Sequence, residues 1–512
     1  MSKKQFYITT PLYYVNAKPH IGHAYTNILC DTFARFHRLL GQDVFFMTGT
    51  DEHGSKIAKV AREQGKEPQL YVDEIVPHFK ALWQSLGIEY DYFIRTTDAS
   101  HKAIVQDVLR DLEKRGEIYK AKYTGWYSIK SETFYAESEL VNGRCPDTGG
   151  EVQKIEEENY FFKLSRYQDW LIEYIQKHPD FILPVMRANE VLGFLKQPLQ
   201  DLCITRPKER LSWGIEYPGS KDHVIYVWFD ALVNYISGIG YGQESARFKS
   251  LWPADVHVVG KDILRHHAVY WPIMLKAIGV EMPKTLLAHG WWTIEGAKVS
   301  KSSGNIIDPV VLIQKYGVDP FRYFMLHEVT VGFDGAYSED LLRERYTNDL
   351  ANDLGNLWFR LAAMIGKYFE GKIPPPSDAA KQDPLLQRAY GLWDEVCPAM
   401  LAYDPRKALD ALWAVVSQAN HYVEEKKPWS LAKNPANQAE LAGVLWVLAE
   451  ALAHLAYLLQ PFVPATADRM LERLHLKGGP VIRDAAAFRQ PLVKVGALIE
   501  KGEALFPKLE DA

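Results

Sequence analysis

At 512 residues, with 47% hydrophobic and 24% charged side chains, the chain is long enough for several domains and has the balance of a globular protein. No uninterrupted apolar run of about eighteen residues is seen, so no membrane span is expected. The formal net charge of −5 gives no basic signature of a nucleic-acid partner. Cys30, Cys145, Cys203 and Cys397 lie far apart in sequence, none paired at a metal-ligand spacing, and a disulfide framework is not expected in so large a chain. The start, Met1-Ser2-Lys3-Lys4-Gln5-Phe6, has no secretory apolar region, and a cytoplasmic setting is expected.

In chain order, Phe6-Tyr7-Ile8-Thr9-Thr10 is a short β-rich run, and residues 11–18 read as a loop. Pro19 suits the first turn of a helix. From His20 to Leu40 the apolar residues Ala24, Ile28, Phe33, Phe36 and Leu40 recur at helical spacing, and Gly41 ends the helix. Val44-Phe45-Phe46-Met47 is the next strand. This βαβ unit requires a parallel sheet. Further strand-like runs come at Val224–Trp228, Val256–Val259 and Thr285–Ala288. The segment between, residues 116–223, is rich in Tyr, Gly and charge and carries the hairpin signal Asn142-Gly143. It reads as a domain inserted between the halves of one doubly wound α/β sheet. From about Ser338 the pattern is helical, with long amphipathic runs such as Ala439 to Leu459 and a break at Pro374-Pro375-Pro376. The expected organisation is therefore residues 1–115 and 224–295 as two halves of a Rossmann-type catalytic domain, 116–223 as the insertion, 296–345 as a connecting region and 346–512 as an α-helical domain.

Two short motifs carry chemistry. His20-Ile21-Gly22-His23 opens the first helix, where backbone N–H groups favour anions; two imidazoles can donate to a phosphoryl group, and Gly22 lets a nucleotide approach. Far downstream, Lys298-Val299-Ser300-Lys301-Ser302-Ser303-Gly304-Asn305 places two lysines three apart among small hydroxyl residues, suited to a leaving pyrophosphate.

Together these motifs resemble the paired signatures of class I aminoacyl-tRNA synthetases. Thr9–Asn16, Thr48–Gly54, Tyr226–Leu232 and Gly260–His267 are similar to segments of the methionyl-tRNA synthetase family, with Val299 where that family often has Met. The resemblance covers essentially the whole chain and implies a ligase that activates methionine with ATP and loads it onto tRNA(Met). It implies that Asp51 pairs with the substrate ammonium group and that Leu12, Tyr14, Trp228, Ala231, Leu232, Tyr235, Ile263, His267 and Trp271 line the methionine pocket. Gly260 and Asp262 would hold the ribose of ATP; His20, Gly22, His23, Lys298, Ser300 and Lys301 would serve the phosphates, with Mg2+ sharing their charge. A thioether is polarizable and only weakly accepting, so aromatic walls with one or two polar tips suit it, and positions 263, 267 and 271 fall at four-residue spacing on one helix face.

In the helical region, Asn348, Asn352, Asn356 and Arg360 recur every four residues, although Asn is a mediocre helix former. Hydrogen bonds to neighbouring helices or the reading of unpaired bases would each explain them. The resemblance implies anticodon contacts for Asn352, Asn356, Arg360 and Trp429. Where many relatives carry a zinc knuckle, this chain has Ser128-Ile129-Lys130-Ser131 and Cys145-Pro146-Asp147-Thr148, and hydroxyls are poor zinc ligands, so no structural zinc is expected. The end soon after Leu505-Phe506-Pro507 leaves no room for an appended dimerising module, so a monomer is expected. Three alternatives stay in view. Another class I synthetase, for leucine, isoleucine or valine, would need a large editing insertion; a small nucleotidyltransferase has no use for the helical half; a non-catalytic tRNA-binding paralogue has no use for the two motifs.

Overall fold

The computed structural model describes residues 4–128, 133–135, 137–146, 148–243, 245–294, 297–298, 307–478, 482 and 484–509. Its central sheet is built from β1 (Gln5–Tyr14), β2 (Asp43–Asp51), β3 (Tyr92–Arg95), β4 (Ile182–Leu183), β5 (Val256–Gly260) and β6 (Thr285–His289). The spatial order is β3-β2-β1-β5-β6-β4, and every pairing is parallel. The chain winds outward from β1 to β3, then returns to the other side of β1, so the switch point lies between β1 and β5. Doubly wound sheets bind ligands at that crevice, beyond the carboxyl ends of the strands.

The expected α/β class holds, with differences in detail. The first strand runs on through Pro11 to Tyr14, so Leu12 and Tyr14 lie on a strand edge rather than in a loop. The register against β2 slips between Thr9 and Leu12, because Pro11 has no N–H to give the ladder. Helix α1 spans Ile21–Leu39, with Pro19 outside it and His20 as its N-cap. Gly41, at φ 77°, turns the chain away from its end. The run at Val224–Trp228 is not a strand of the central sheet. His223–Ile225 pairs antiparallel with Thr205–Pro207, and Val227–Leu232 is a helix. Ile182–Leu183, from within the intervening segment, supplies the edge strand of the central sheet instead.

That segment forms its own antiparallel sheet from Thr133–Tyr135, Ile118–Ser128, Gln153–Phe162 and Leu202–Cys203. Asn142 and Gly143 both take positive φ, as a tight hairpin turn needs. The C-terminal region is a bundle of helices, including Asn356–Phe369, Pro384–Leu401, Pro405–Lys426 and Gln438–Leu459. The segment Pro435–Leu459 is long and apolar enough to cross a membrane (mean hydropathy 1.7), but 94% of its apolar window is buried within the protein, so it reads as the central core helix. It is buried nearly all round rather than amphipathic, which explains its uniform apolarity. Bundle and sheet are locked together by Arg322. Its fully buried guanidinium lies 2.7 Å from Asp31 of α1 and donates to the carbonyls of Pro461 and Phe462.

Candidate active site

Four strands end at one cavity. Tyr14, Asp51, Gly260 and His289 are the last residues of β1, β2, β5 and β6, and all line a cavity of about 570 Å³. The start of α1 closes one end. There His20 caps the helix: its Nδ1 accepts the Gly22 N–H at 3.1 Å, and His23 Nδ1 accepts the His20 N–H at 3.0 Å. In their neutral forms both rings therefore carry their proton on Nε2. A Cβ at residue 22 would stand 3.0 Å from His20 Cε1 and 3.2 Å from Nδ1, so any side chain there would crowd the imidazole that folds back over the helix start. No acidic residue occupies the first turn of α1, which leaves the positive end of the helix dipole facing the cavity.

The other end of the cavity is walled by aromatics. Leu12 and Tyr14 come from β1, Trp228, Ala231 and Leu232 from the helix Val227–Leu232, and Ile263 and His267 from the segment after β5. Tyr235 and His267 form the polar tip. His267 Nδ1 lies 2.9 Å from the Ile263 carbonyl and so carries the proton, and Nε2 accepts the Tyr235 hydroxyl at 2.7 Å. Burial depresses His267 to about 4 and pushes the Tyr235 phenol up, so the pair is neutral at physiological pH. Trp228 is held by stacking on His266, with ring centroids 3.7 Å apart.

The structure therefore gathers the predicted residues Leu12, Tyr14, His20, Gly22, His23, Asp51, Trp228, Ala231, Leu232, Tyr235, Gly260, Asp262, Ile263 and His267 around one cavity. Trp271 is not among its walls. It is fully buried behind Tyr235, at 5.6 Å between rings, and its indole N–H points to His257 Nε2 at 3.4 Å. Residues His266–Tyr270 form a widened π turn, so position 271 no longer stands over 267 as α-helical spacing would have it. The backbone of Lys298 pairs with Thr293 in a short strand; Val299, Ser300 and Lys301 lie outside the described residues. In the intervening segment Ser128 and Cys145 are buried, and Ile129, Lys130, Ser131 and Asp147 lie outside the described residues.

Sequence reasoning missed several wall residues, including Asn16, Lys56, His289, Gly290 and Trp291. Position was the available signal for the last three, since they directly follow a predicted strand at its carboxyl end. Trp291 is fixed on three sides. Its backbone N–H donates to Asp334, its indole N–H to Asp262 at 3.2 Å, and the Lys261 ammonium lies 4.0 Å from its ring centroid. Gly260 makes room for the Asp262 carboxylate, which a Cβ there would approach to 2.6 Å.

Away from the cavity, Asn348, Asn352 and Asn356 are all exposed along Tyr346–Gly355 and the start of Asn356–Phe369, which favours an outward role over contacts with neighbouring helices. Arg360 lies 5.6 Å from the ring of Trp429, which is 36% exposed, and donates to Glu424 at 2.6 Å.

Comparison with known proteins decides the family. The family described as class I tRNA synthetases (M) matches residues 6–157 and 150–362, and the anticodon binding domain of methionyl tRNA ligase matches 378–512. The chain belongs to the class I methionyl-tRNA synthetases. It is 48% identical to the methionine–tRNA ligase of Caldanaerobacter subterraneus subsp. tengcongensis over 99% of this chain and 79% of that one. The corresponding ligase of Thermotoga maritima is 43% identical over 99% of this chain and 80% of its own length. Among solved structures, a Mycobacterium tuberculosis methionyl-tRNA synthetase in complex with methionyl-adenylate superposes with a TM-score of 0.93 at 41% identity, covering 99% of this synthetase and 100% of that chain.

Proposed function

We propose that the cavity joins methionine to ATP and then passes the methionyl group to the 3′-terminal adenosine of tRNA(Met). The observation that carries this reading is that one cavity is lined by the His20–His23 helix start, by the neutral Tyr235–His267 pair, and by Asp51 and Asp262. In this reading Asp51 pairs with the α-ammonium group, and Leu12, Tyr14, Trp228, Ala231, Leu232 and Ile263 enclose the side chain. An uncharged Tyr235–His267 pair suits a thioether, which accepts hydrogen bonds only weakly. Trp271 acts from behind, by holding Tyr235. Gly260 and Asp262 hold the ribose, and His20, His23, Lys298, Ser300 and Lys301 take the phosphates.

The methionine carboxylate oxygen attacks the α-phosphorus as the bond to pyrophosphate breaks. A ribose hydroxyl of tRNA then attacks the adenylate carbonyl and AMP departs. No side chain need become a nucleophile, so catalysis is positioning and stabilisation of charge on the departing phosphates. Among the described residues no group of three His, Cys, Asp or Glu side chains could hold a metal. In this reading Mg2+ would accompany ATP and would supply neutralisation of the phosphate charge. The intervening lobe is proposed to hold no zinc, which metal analysis of the purified chain reads directly. All four cysteines are buried and none is joined in a disulfide, which suits a reducing cytoplasm; a monomeric state is checked by sedimentation.

We place the tRNA-reading helical domain from residue 346, because the run through Phe369 packs on Pro405–Lys426 and Gln438–Leu459. Asn352, Asn356, Arg360 and Trp429 are its proposed anticodon-reading residues, an exposed aromatic beside a guanidinium being suited to unpaired bases. The decisive experiment is amino-acid-dependent ATP–pyrophosphate exchange with each of the twenty amino acids. Exchange with methionine alone is expected; exchange with another amino acid would overturn the pocket assignment.

A further inference from the structure

Strand β5 is a run of buried valines interrupted by one imidazole. His257 is fully buried, is not among the walls of the cavity, and is used by no step of the activation chemistry. Both of its ring nitrogens are engaged. Nε2 accepts the indole N–H of Trp271 at 3.4 Å, so the ring proton sits on Nδ1 and is donated to Thr9 Oγ1 at 2.8 Å. Burial pushes the imidazole well below its ordinary value, and the ring is neutral. Thr9 and His257 are register partners on β1 and β5, the two strands at the switch point. The face of the ring lies against Tyr235, with centroids 4.1 Å apart and planes 28° from parallel. Trp271 meets the same tyrosine at 5.6 Å, and Tyr7 donates its hydroxyl to the Tyr235 carbonyl at 2.8 Å. Tyr235 is a wall of the cavity, so His257 backs a wall without being one. A position that must accept from an indole, donate to a hydroxyl and offer a flat face suits histidine. A further valine there would leave the buried Trp271 N–H without this acceptor.

We propose that His257 is a positioning residue for substrate choice: with Trp271 it makes a floor beneath Tyr235 that fixes the depth of the methionine pocket and so excludes longer thioethers. This rests on the placement of Tyr235 and His267 at the end of that pocket. The hydroxyl bond from Tyr235 to His267, at 2.7 Å, holds one end of the tyrosine but leaves its ring able to pivot about that point. The stacked imidazole removes this freedom. Its own hydrogen bonds pin it to β1 on one side and to Trp271 on the other, which makes the floor stiffer than an apolar filler of the same size. Stiffness matters because one extra methylene in an apolar pocket changes kcat/KM by only about 10–200-fold. That discrimination survives only if the pocket end does not yield. In a close-packed interior a ring shifts where a void opens behind it, and His257 fills that space.

The test measures pyrophosphate exchange with methionine and with ethionine, which is one methylene longer. Two variants take the ring away: His257→Asn, whose amide can still meet Thr9, and His257→Ala. A third, His257→Phe, keeps a flat face and loses both hydrogen bonds. In the two variants without a ring, the kcat/KM preference for methionine over ethionine is expected to fall about tenfold, while KM for ATP stays within about twofold of the unaltered enzyme. His257→Phe is expected to melt lower yet keep the preference within about threefold, because the floor is still there. A histidine that served stability alone would lower exchange with both amino acids together and leave their ratio unchanged. That result overturns the proposal, as does loss of the preference in His257→Phe, or failure of both variants without a ring to fold. An unaltered enzyme that showed no preference for methionine over ethionine would be a different failure, that of the pocket assignment itself.

Discussion

Gly22 shows how tightly single residues are matched to the chemistry. It occupies the first turn of α1 with ordinary helical backbone, so conformational freedom is not the reason for glycine there. The reason is the His20 ring, 3.0 Å from where a Cβ would stand. Gly22→Ala should gain up to about 1 kcal/mol of helix stability, the usual advantage of Ala over Gly in a helix. It should also push the imidazole by a few tenths of an ångström and strain the His20–Gly22 hydrogen bond. Small displacements of a positioning group slow a reaction steeply, so pyrophosphate exchange should fall about tenfold while the melting temperature holds or rises. Unchanged exchange in a correctly folded variant would remove the steric reason offered for the glycine. At this scale the motif was legible in the sequence, because its function depends on local spacing at a helix start. The partners that fix it, such as the Nδ1 acceptors of both histidines, depend on ring orientation and were not.

The helix Val227–Leu232 carries three walls of the amino-acid end, and what holds it is a buried charge. Asp230 lies fully buried, with His53 Nδ1 2.6 Å from one oxygen and His101 Nε2 2.8 Å from the other; His101 also meets Ser237 Oγ at 2.7 Å. Burial pushes the Asp230 carboxyl up, but His53 and His101 outweigh it and hold it below its ordinary value. Since His53 stands two residues beyond Asp51, the last residue of β2, the cluster ties the pocket wall to the end of that strand. Asp230→Asn keeps the shape and removes the charge. Hydrogen bonds to a charged group contribute about 1.5–3 kcal/mol each, and an amide cannot accept from both imidazoles as the carboxylate does, so the variant should melt markedly lower. Its KM for methionine should rise about tenfold while its KM for ATP changes little, because the phosphate end rests on α1 instead. Equal changes in both constants would show general loosening. The same contrast explains what the sequence could reveal. The first βαβ unit was readable because its apolar periods are strong and local. The run at Val224–Trp228 misled because a short apolar segment serves a hairpin strand and a buried helix equally well. Trp271 was misplaced because a widened turn leaves no mark in a four-residue spacing.

Across the whole molecule, sheet and bundle share one stability, since Arg322 ties Asp31 to the carbonyls at Pro461 and Phe462. Its pH dependence follows from the histidines this fold buries. His37, stacked on Phe6 at the end of α1, and His267 in the pocket are both depressed by burial to about 4, and His257 and His266 are pushed well below their ordinary value for the same reason. Each would be protonated in the unfolded chain below about 6.5 but stays neutral in the fold. Their stabilising effect is therefore complete above about 6.5 and is lost as pH falls toward 4. For His37 and His267 the loss between pH 7 and pH 5 is on the order of 2 kcal/mol each. Glu450 acts in the opposite sense. Burial in the core helix raises it to about 7, against the opposing pull of the Leu492 and Val493 N–H groups it accepts, so it favours the fold at low pH and withdraws that support as pH rises from about 4.5 to 7. The histidines outnumber it, so the melting temperature should climb from pH 5 to pH 7. Calorimetry at pH 5.5 in buffers of different ionisation enthalpy should show roughly two or more protons taken up per chain on unfolding. Glu450→Gln, which removes the opposing group, should steepen the climb. A melting temperature that falls over this range, or net proton release on unfolding, would mean that these imidazoles are charged in the fold and that the neutral Tyr235–His267 tip is wrongly drawn.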